Sequence, residues 1–270
     1  EGWGVGCAVG DYDDDGLLDL LVTNFSHETN NAYLNHGQGI FVDAVGEVNM
    51  HMPSWFYLGW GTRLTDLDND GDEDLFVANG HVYPGVDETN LRTRYHQPNQ
   101  VFWNGGDGQL AEGAFPVEDA MQEVASSRAA AFGDIDEDGD VDVVVVNIDA
   151  PPSLLQNRRP AGEDGNWIAF RLVGAESNRD AVGTRLILTA GSTKQVKEVH
   201  PSGSFLSSND VRVHFGLAEH KKVGLLVVRW PGGLEETLRE LEANQLWTLV
   251  EGRNGPPPGL PPARPSRQAR

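Results

Sequence analysis

One cysteine, Cys7, stands alone among 270 residues, so no disulfide within the chain can hold its fold. It sits in an apolar, strand-like stretch, the setting of a small core residue. Lysine is missing from residues 1–157, which carry 29 acidic residues against four arginines. Residues 158–270 carry 12 acids against 16 bases, so the net charge of −21 divides into −25 and +4. A region this acidic repels nucleic acid and anionic membrane surfaces, and neither is expected as a partner. No apolar run reaches the length of a membrane-crossing helix, so no membrane insertion is expected. Eight histidines are scattered without an HExxH pattern, and there is no GxSxG.

What the chain has instead is one acidic loop three times over. The pattern DxDxDGxxD occurs at 11–19, 66–74 and 134–142. Aspartates at loop positions 1, 3 and 5 converge on one point, glycine at 6 permits the turn, and the carbonyl at 7 and carboxylate at 9 complete an oxygen cage. The candidate ligands are Asp11, Asp13, Asp15, the Leu17 carbonyl and Asp19 in the first loop. In the second they are Asp66, Asp68, Asp70, the Asp72 carbonyl and Asp74, and in the third Asp134, Asp136, Asp138, the Asp140 carbonyl and Asp142. Carboxylates about 5 Å apart repel by roughly 3 kcal/mol per pair at an effective dielectric near 20. Four around one point need a cation, and a hard, Ca²⁺-type ion suits an all-oxygen set. About three structural Ca²⁺ are therefore expected, with binding coupled to folding.

An EF-hand carries a bidentate Glu at position 12, between helices. Position 12 here is Val22, Val77 or Val145, and each loop runs into an apolar segment that reads as a buried strand. Asparagines follow in register: Asn24, Asn79 and Asn147, then Asn35, Asn104 and Asn157. The middle repeat is longer between its asparagines, placing an insertion within 80–98. That insertion holds His81, Tyr83, Arg92, Arg94, Tyr95 and His96, residues suited to a ligand contact or to an ordinary solvated loop. Strand-rich repeats of this length read as β-propeller blades, and three are too few to close a ring, so further blades upstream are expected.

The second region also reads as all-β, with strands expected at 167–173, 184–189, 211–215, 224–230 and 246–250. A small β-sandwich or barrel is the natural package. Arg179, Asp180 and Arg229 are expected in structural roles, with Trp230 packed. The division is thus 1–160 as a partial propeller, 161–253 as a second domain, and 254–270 as a Pro-rich, disordered tail.

The loop, strand and asparagine together resemble the FG-GAP or VCBS type of calcium-binding propeller repeat. SNRDAVG at 177–183, HFGL at 214–217 and VRWPGG at 228–233 resemble the ASPIC/UnbV domain. Both modules in this order are similar to the cartilage acidic protein family. The resemblance implies a calcium-stabilised, secreted, periplasmic or cell-surface binding protein with no catalysis of its own, presenting both modules to a protein or glycan partner. A carbohydrate-active hydrolase using the same loops as scaffold is the alternative. The oligomeric state is not readable from the sequence.

Overall fold

The computed structural model describes residues 3–106, 108–115, 124–158 and 165–253. Its elements are nearly all strands. The expected tail at 254–270 lies outside the described residues.

Three antiparallel sheets follow one another along the first part of the chain. The first runs in the order β1 (Cys7–Gly10), β2 (Asp19–Val22), β3 (Asn31–Asn35) and β4 (Phe41–Asp43). The second repeats it with β5 (Gly59–Thr65), β6 (Asp74–Asn79), β7 (Gln100–Asn104) and β8 (Leu110–Gly113). The third has β9 (Ser127–Gly133), β10 (Asp142–Asn147) and β11 (Ser153–Leu155). First strands are neighbours, β1 beside β5 and β5 beside β9, so the sheets stand side by side as propeller blades.

Alternation along β6 explains why its sequence reads as an unbroken apolar run. On β6 every residue is buried. Leu75 and Val77 face the first blade, joining Ala8, Leu21, Leu64 and Phe102, whereas Phe76 and Ala78 face the third, with Phe132 and Val143. A strand covered on both faces has no polar side to show.

The remainder forms a two-sheet sandwich. One sheet pairs β15 (Val213–Ala218), β12 (Asn166–Val173) and β18 (Gln245–Val250), with β12 and β18 parallel. The other orders β14 (Thr193–Glu198), β13 (Arg185–Ala190), β16 (Lys222–Arg229) and β17 (Glu235–Glu242). Ile168, Phe170 and Phe215 from the first sheet meet Leu186, Leu188 and Leu226 from the second in a single core. Strands β14 and β17 go beyond the sequence expectation. Both are largely polar outer strands: β17 buries only Leu241, so no apolar alternation marks it. Arg229 pairs with Glu235 at 2.8 Å and the buried Trp230 donates to Glu236, as their structural reading required.

The two parts are joined by more than a linker. The segment 201–210 of the sandwich lies along the inner edges of all three blades. Ser204 N donates to the Cys7 carbonyl on β1, Thr62 N on β5 donates to Ser204 Oγ, and Ser204 Oγ and Ser207 Oγ donate to the Ala130 carbonyl on β9. Phe132 is held at both ends, its N–H by Asn209 Oδ1 and its carbonyl by Asp210 N. One loop thus occupies backbone groups that inner strands would otherwise leave unpaired.

The 80–98 insertion joins β6 to β7 and is tied down at both ends. Ser126 Oγ donates to the His81 carbonyl, and Gln97 accepts from Leu58 N through Oε1 and donates to Thr93 Oγ1 through Nε2. His81 is buried, edge-on to Phe25. The insertion's ends serve as packing between blades.

Candidate metal centres

Each acidic loop connects the first two strands of its blade: β1 to β2, β5 to β6, β9 to β10. In every loop the position-6 glycine has positive φ, +89° at Gly16, +107° at Gly71 and +96° at Gly139. Position 4 is left-handed too, at Asp14, Asn69 and Glu137. The sequence pattern leaves position 4 unspecified, although all three residues there are of the polar kind found in turns. Two left-handed residues in three curl the loop so that its carboxylates point inward.

The oxygens converge accordingly. Ligand atoms of Asp11, Asp13 and Asp15 lie within 4.8 Å of one another, as do those of Asp66, Asp68 and Asp70, and of Asp134, Asp136 and Asp142. Position 1 is fixed by the glycine N–H: Gly16 to Asp11, Gly71 to Asp66 at 2.9 Å, and Gly139 to Asp134 at 3.1 Å. Asp66 is wholly buried and its Oδ1 has no hydrogen-bond partner among the described residues. A hard cation fits that atom and these donor sets.

Position 9 serves a second purpose that the ligand pattern alone does not reveal. Asp19, Asp74 and Asp142 each accept from the N–H at loop position 2 through one oxygen (Tyr12, Leu67 and Ile135). Through the other they accept from the backbone N–H of the repeat's second asparagine, Asn35, Asn104 or Asn157, at 2.7 to 2.9 Å. These aspartates clamp loop to third strand. Asp142 also falls within the third cluster, so clamping does not remove it from the ligand set. At position 7, Asp72 bonds the Asp14 carboxyl of the first loop, and Asp140 accepts from Asn69 Nδ2 of the second at 3.0 Å. That leaves the main-chain carbonyl as their contribution to a cage, alongside that of Leu17.

The asparagines have separable duties. The first of each pair folds the turn after the second strand, Asn24 donating to the Thr29 carbonyl, Asn79 to that of Pro98 and Asn147 to that of Pro151. Asn24, whose neighbours form a glycosylation sequon, is buried.

Burial and mutual repulsion raise several of the loop carboxylates above their ordinary range. Asp11, Asp66, Asp70 and Asp138 are pushed to about 7, and Asp19 and Asp134 to about 6. Asp14 reaches about 8, where burial is joined by the bond to Asp72. Desolvation is the leading cause in each case. Asp74 is likewise pushed well up by burial and by Asp66. A bound cation would supply the missing countercharge.

The sandwich covers all three loops. Arg185 donates to the Gly16 carbonyl of the first, and Ala218 N to the Asn69 carbonyl of the second. On the third, Arg212 Nη2 donates to the Asp134 carbonyl at 2.6 Å and His214 Nε2 lies 3.0 Å from the Gly139 carbonyl. Trp167 packs so tightly on Gly139 that a Cβ there would collide with its indole. Loop geometry and domain docking are therefore one structure.

Comparison with known families finds two matches. The FG-GAP-like repeat profile matches residues 11–77 and 66–145, and that of ASPIC and UnbV matches 174–256. No curated protein matches the chain. Among the described residues no helix is long and apolar enough to cross a membrane.

Proposed function

The chain belongs to the FG-GAP-like repeat family and carries an ASPIC and UnbV module behind its blades, and from this we propose a binding protein whose loops each hold a structural Ca²⁺. The observation that carries the reading is that each of the three loops that gather a carboxylate cluster is hydrogen-bonded to the sandwich through its main chain. Ions placed there would stabilise the blades and hold the two modules in a fixed relation, so that their shared surface is presented as one body. The partner class is a protein or a glycan. Such loops fill most readily where Ca²⁺ is abundant, which assigns the protein to the cell exterior: secreted, periplasmic or surface-attached. The ions have a structural role and the protein no catalysis of its own.

Calorimetric titration of chelator-treated protein with Ca²⁺, beside thermal unfolding, tests this. The expected result is close to three ions per chain, a large rise in melting temperature, and loss of about one ion in each of Asp68→Ala and Asp136→Ala. Absence of binding with unchanged melting overturns the ion assignment. Turnover of a glycan panel would overturn the non-catalytic one.

A further inference from the structure

A cavity of about 480 Å³ lies between the blades and the sandwich, bordered by Asp134 of the third acidic loop. That volume suits a small organic ligand. The second blade contributes Arg63 and Glu73 to its wall, and the sandwich contributes Lys197, Arg212, Trp167 and Trp247.

Two of the three cations have carboxylate partners. Lys197 Nζ lies 3.2 Å from Glu73 Oε1, and Arg212 Nε lies 2.5 Å from Asp210 Oδ2. Arg63 is different: its Nη1 is shut off from solvent and has no hydrogen-bond partner among the described residues. Burial lowers its pKa below the ordinary guanidinium value, opposed by the nearby charges of Glu73 and Asp210. Glu73 Oε2 is the complementary case, a buried acceptor without a donor. Buried polar groups left unmet are costly, and an unmet guanidinium N–H beside an unmet carboxylate oxygen calls for a ligand that offers both an acceptor and a donor.

These demands define a ligand. It must offer a carboxylate to Arg63 and a hydroxyl to Glu73 Oε2, and have a body that packs against aromatic walls. The net charge of −21, and Asp134, Glu137 and Glu198 around the same cavity, disfavour polyanions such as nucleotides. We propose that the cavity binds a hydroxylated monocarboxylate of sugar size, with Arg63 holding the carboxylate and Glu73 accepting from a hydroxyl. This rests on reading the chain as a binding protein and adds a ligand class at a site that borders the second and third loops, with Glu73 the eighth residue of the second.

Calorimetry on the full chain with gluconate, glucuronate and galacturonate, and with glucose and acetate as comparators, tests it. At least one hydroxy acid is expected to bind with one-to-one stoichiometry, with glucose and acetate at least about tenfold weaker. Arg63→Lys keeps the charge but loses the fork, and Glu73→Gln loses the anionic acceptor. Each is expected to weaken binding at least about tenfold while Ca²⁺ stoichiometry and the melting transition stay near wild type. No saturation by any of the three acids at millimolar concentration overturns the proposal, as does binding indifferent to both substitutions or equal for glucose. Should Arg63→Lys not fold, Glu73→Gln and the wild-type comparison of acids with glucose decide alone. Failure of hydroxy-acid binding with Ca²⁺ binding intact sinks this proposal only. Loss of Ca²⁺ binding in the wild type sinks the loop reading instead.

Discussion

Asn157 closes the third repeat, yet its side-chain amide donates to the Leu67 carbonyl in the second blade's acidic loop, at 2.6 Å and fully buried. Asn104 does the same one blade earlier, reaching the Tyr12 carbonyl of the first loop at 3.1 Å. The repeat's second asparagine is thus a hook. Its backbone N–H fixes its own loop through the position-9 aspartate, and its side chain catches position 2 of the loop before it.

Removing that hook leaves a buried carbonyl unmet. Asn157→Ala is expected to cost about 2 kcal/mol and to lower the melting temperature by roughly 4–8 °C, measured by differential scanning calorimetry. Asn35→Ala, whose side chain bonds the Leu18 carbonyl and the Gly37 N–H within its own repeat and reaches no other blade, is expected to cost less.

Two glycines with like backbones separate loop strain from domain docking. Gly16→Ala and Gly139→Ala both force a side chain into positive φ, a cost on the order of 1 kcal/mol. At Gly16 the new Cβ meets the mobile end of Lys194 at 3.3 Å, whereas at Gly139 it meets the Trp167 ring. Gly139→Ala is expected to be the more destabilising of the two in thermal unfolding. Equal effects would show that the sandwich does not press on the third loop.

Acidity should act oppositely on the ion-free and ion-bound forms. Without a cation, Asp11, Asp66, Asp70 and Asp138 hold protons up to about pH 7, above the unfolded value near 3.8. A raised carboxylate pKa favours the folded state fully below the unfolded value, and that benefit is lost as pH rises through about 7. In chelator the melting temperature is therefore expected to fall between pH 5 and pH 8. With saturating Ca²⁺, which displaces those protons, the increment over chelator should grow across the same interval.

Glu251 gives the reverse dependence in the sandwich. Burial alone would raise its pKa, but N–H groups of Ala175, Glu176 and Ser177, together with the Ser177 hydroxyl, bring it down to about 2. A depressed carboxylate stabilises the fold above the unfolded value of 4.5 and loses that contribution as pH falls toward 2. Glu251→Gln should flatten this part of the acid-unfolding curve, followed by circular dichroism.

Blade loops and core strands were legible in the sequence because each reports a local requirement. Carboxylate spacing follows from packing oxygens around a point, and the apolar run at 75–78 follows from burial on both faces. The strands β14 and β17 were not legible, since strands with a wetted face and alternating charges leave no period to detect. Nor could spacing show that Asp19, Asp74 and Asp142 are clamps as well as candidate ligands, because their hydrogen-bond partners are backbone N–H groups, which leave no residue signature. Arg63 and Glu73 were invisible for another reason: what distinguishes them is a shortage of partners, which exists only once the two modules meet.

The segment 201–210 has a consequence for how such proteins can change over evolutionary time. A strap that touches the Cys7, Thr62, Ala130 and Phe132 backbones reads three blades at once, through the blades' main-chain atoms rather than their side chains. Blade side chains can drift while the seam persists, provided that the segment keeps Ser204, Ser207 and Asn209, yet a change in blade spacing would break several contacts together. Recombination that separated the modules would leave each with half a seam, so inheritance should favour the pair as a single cassette.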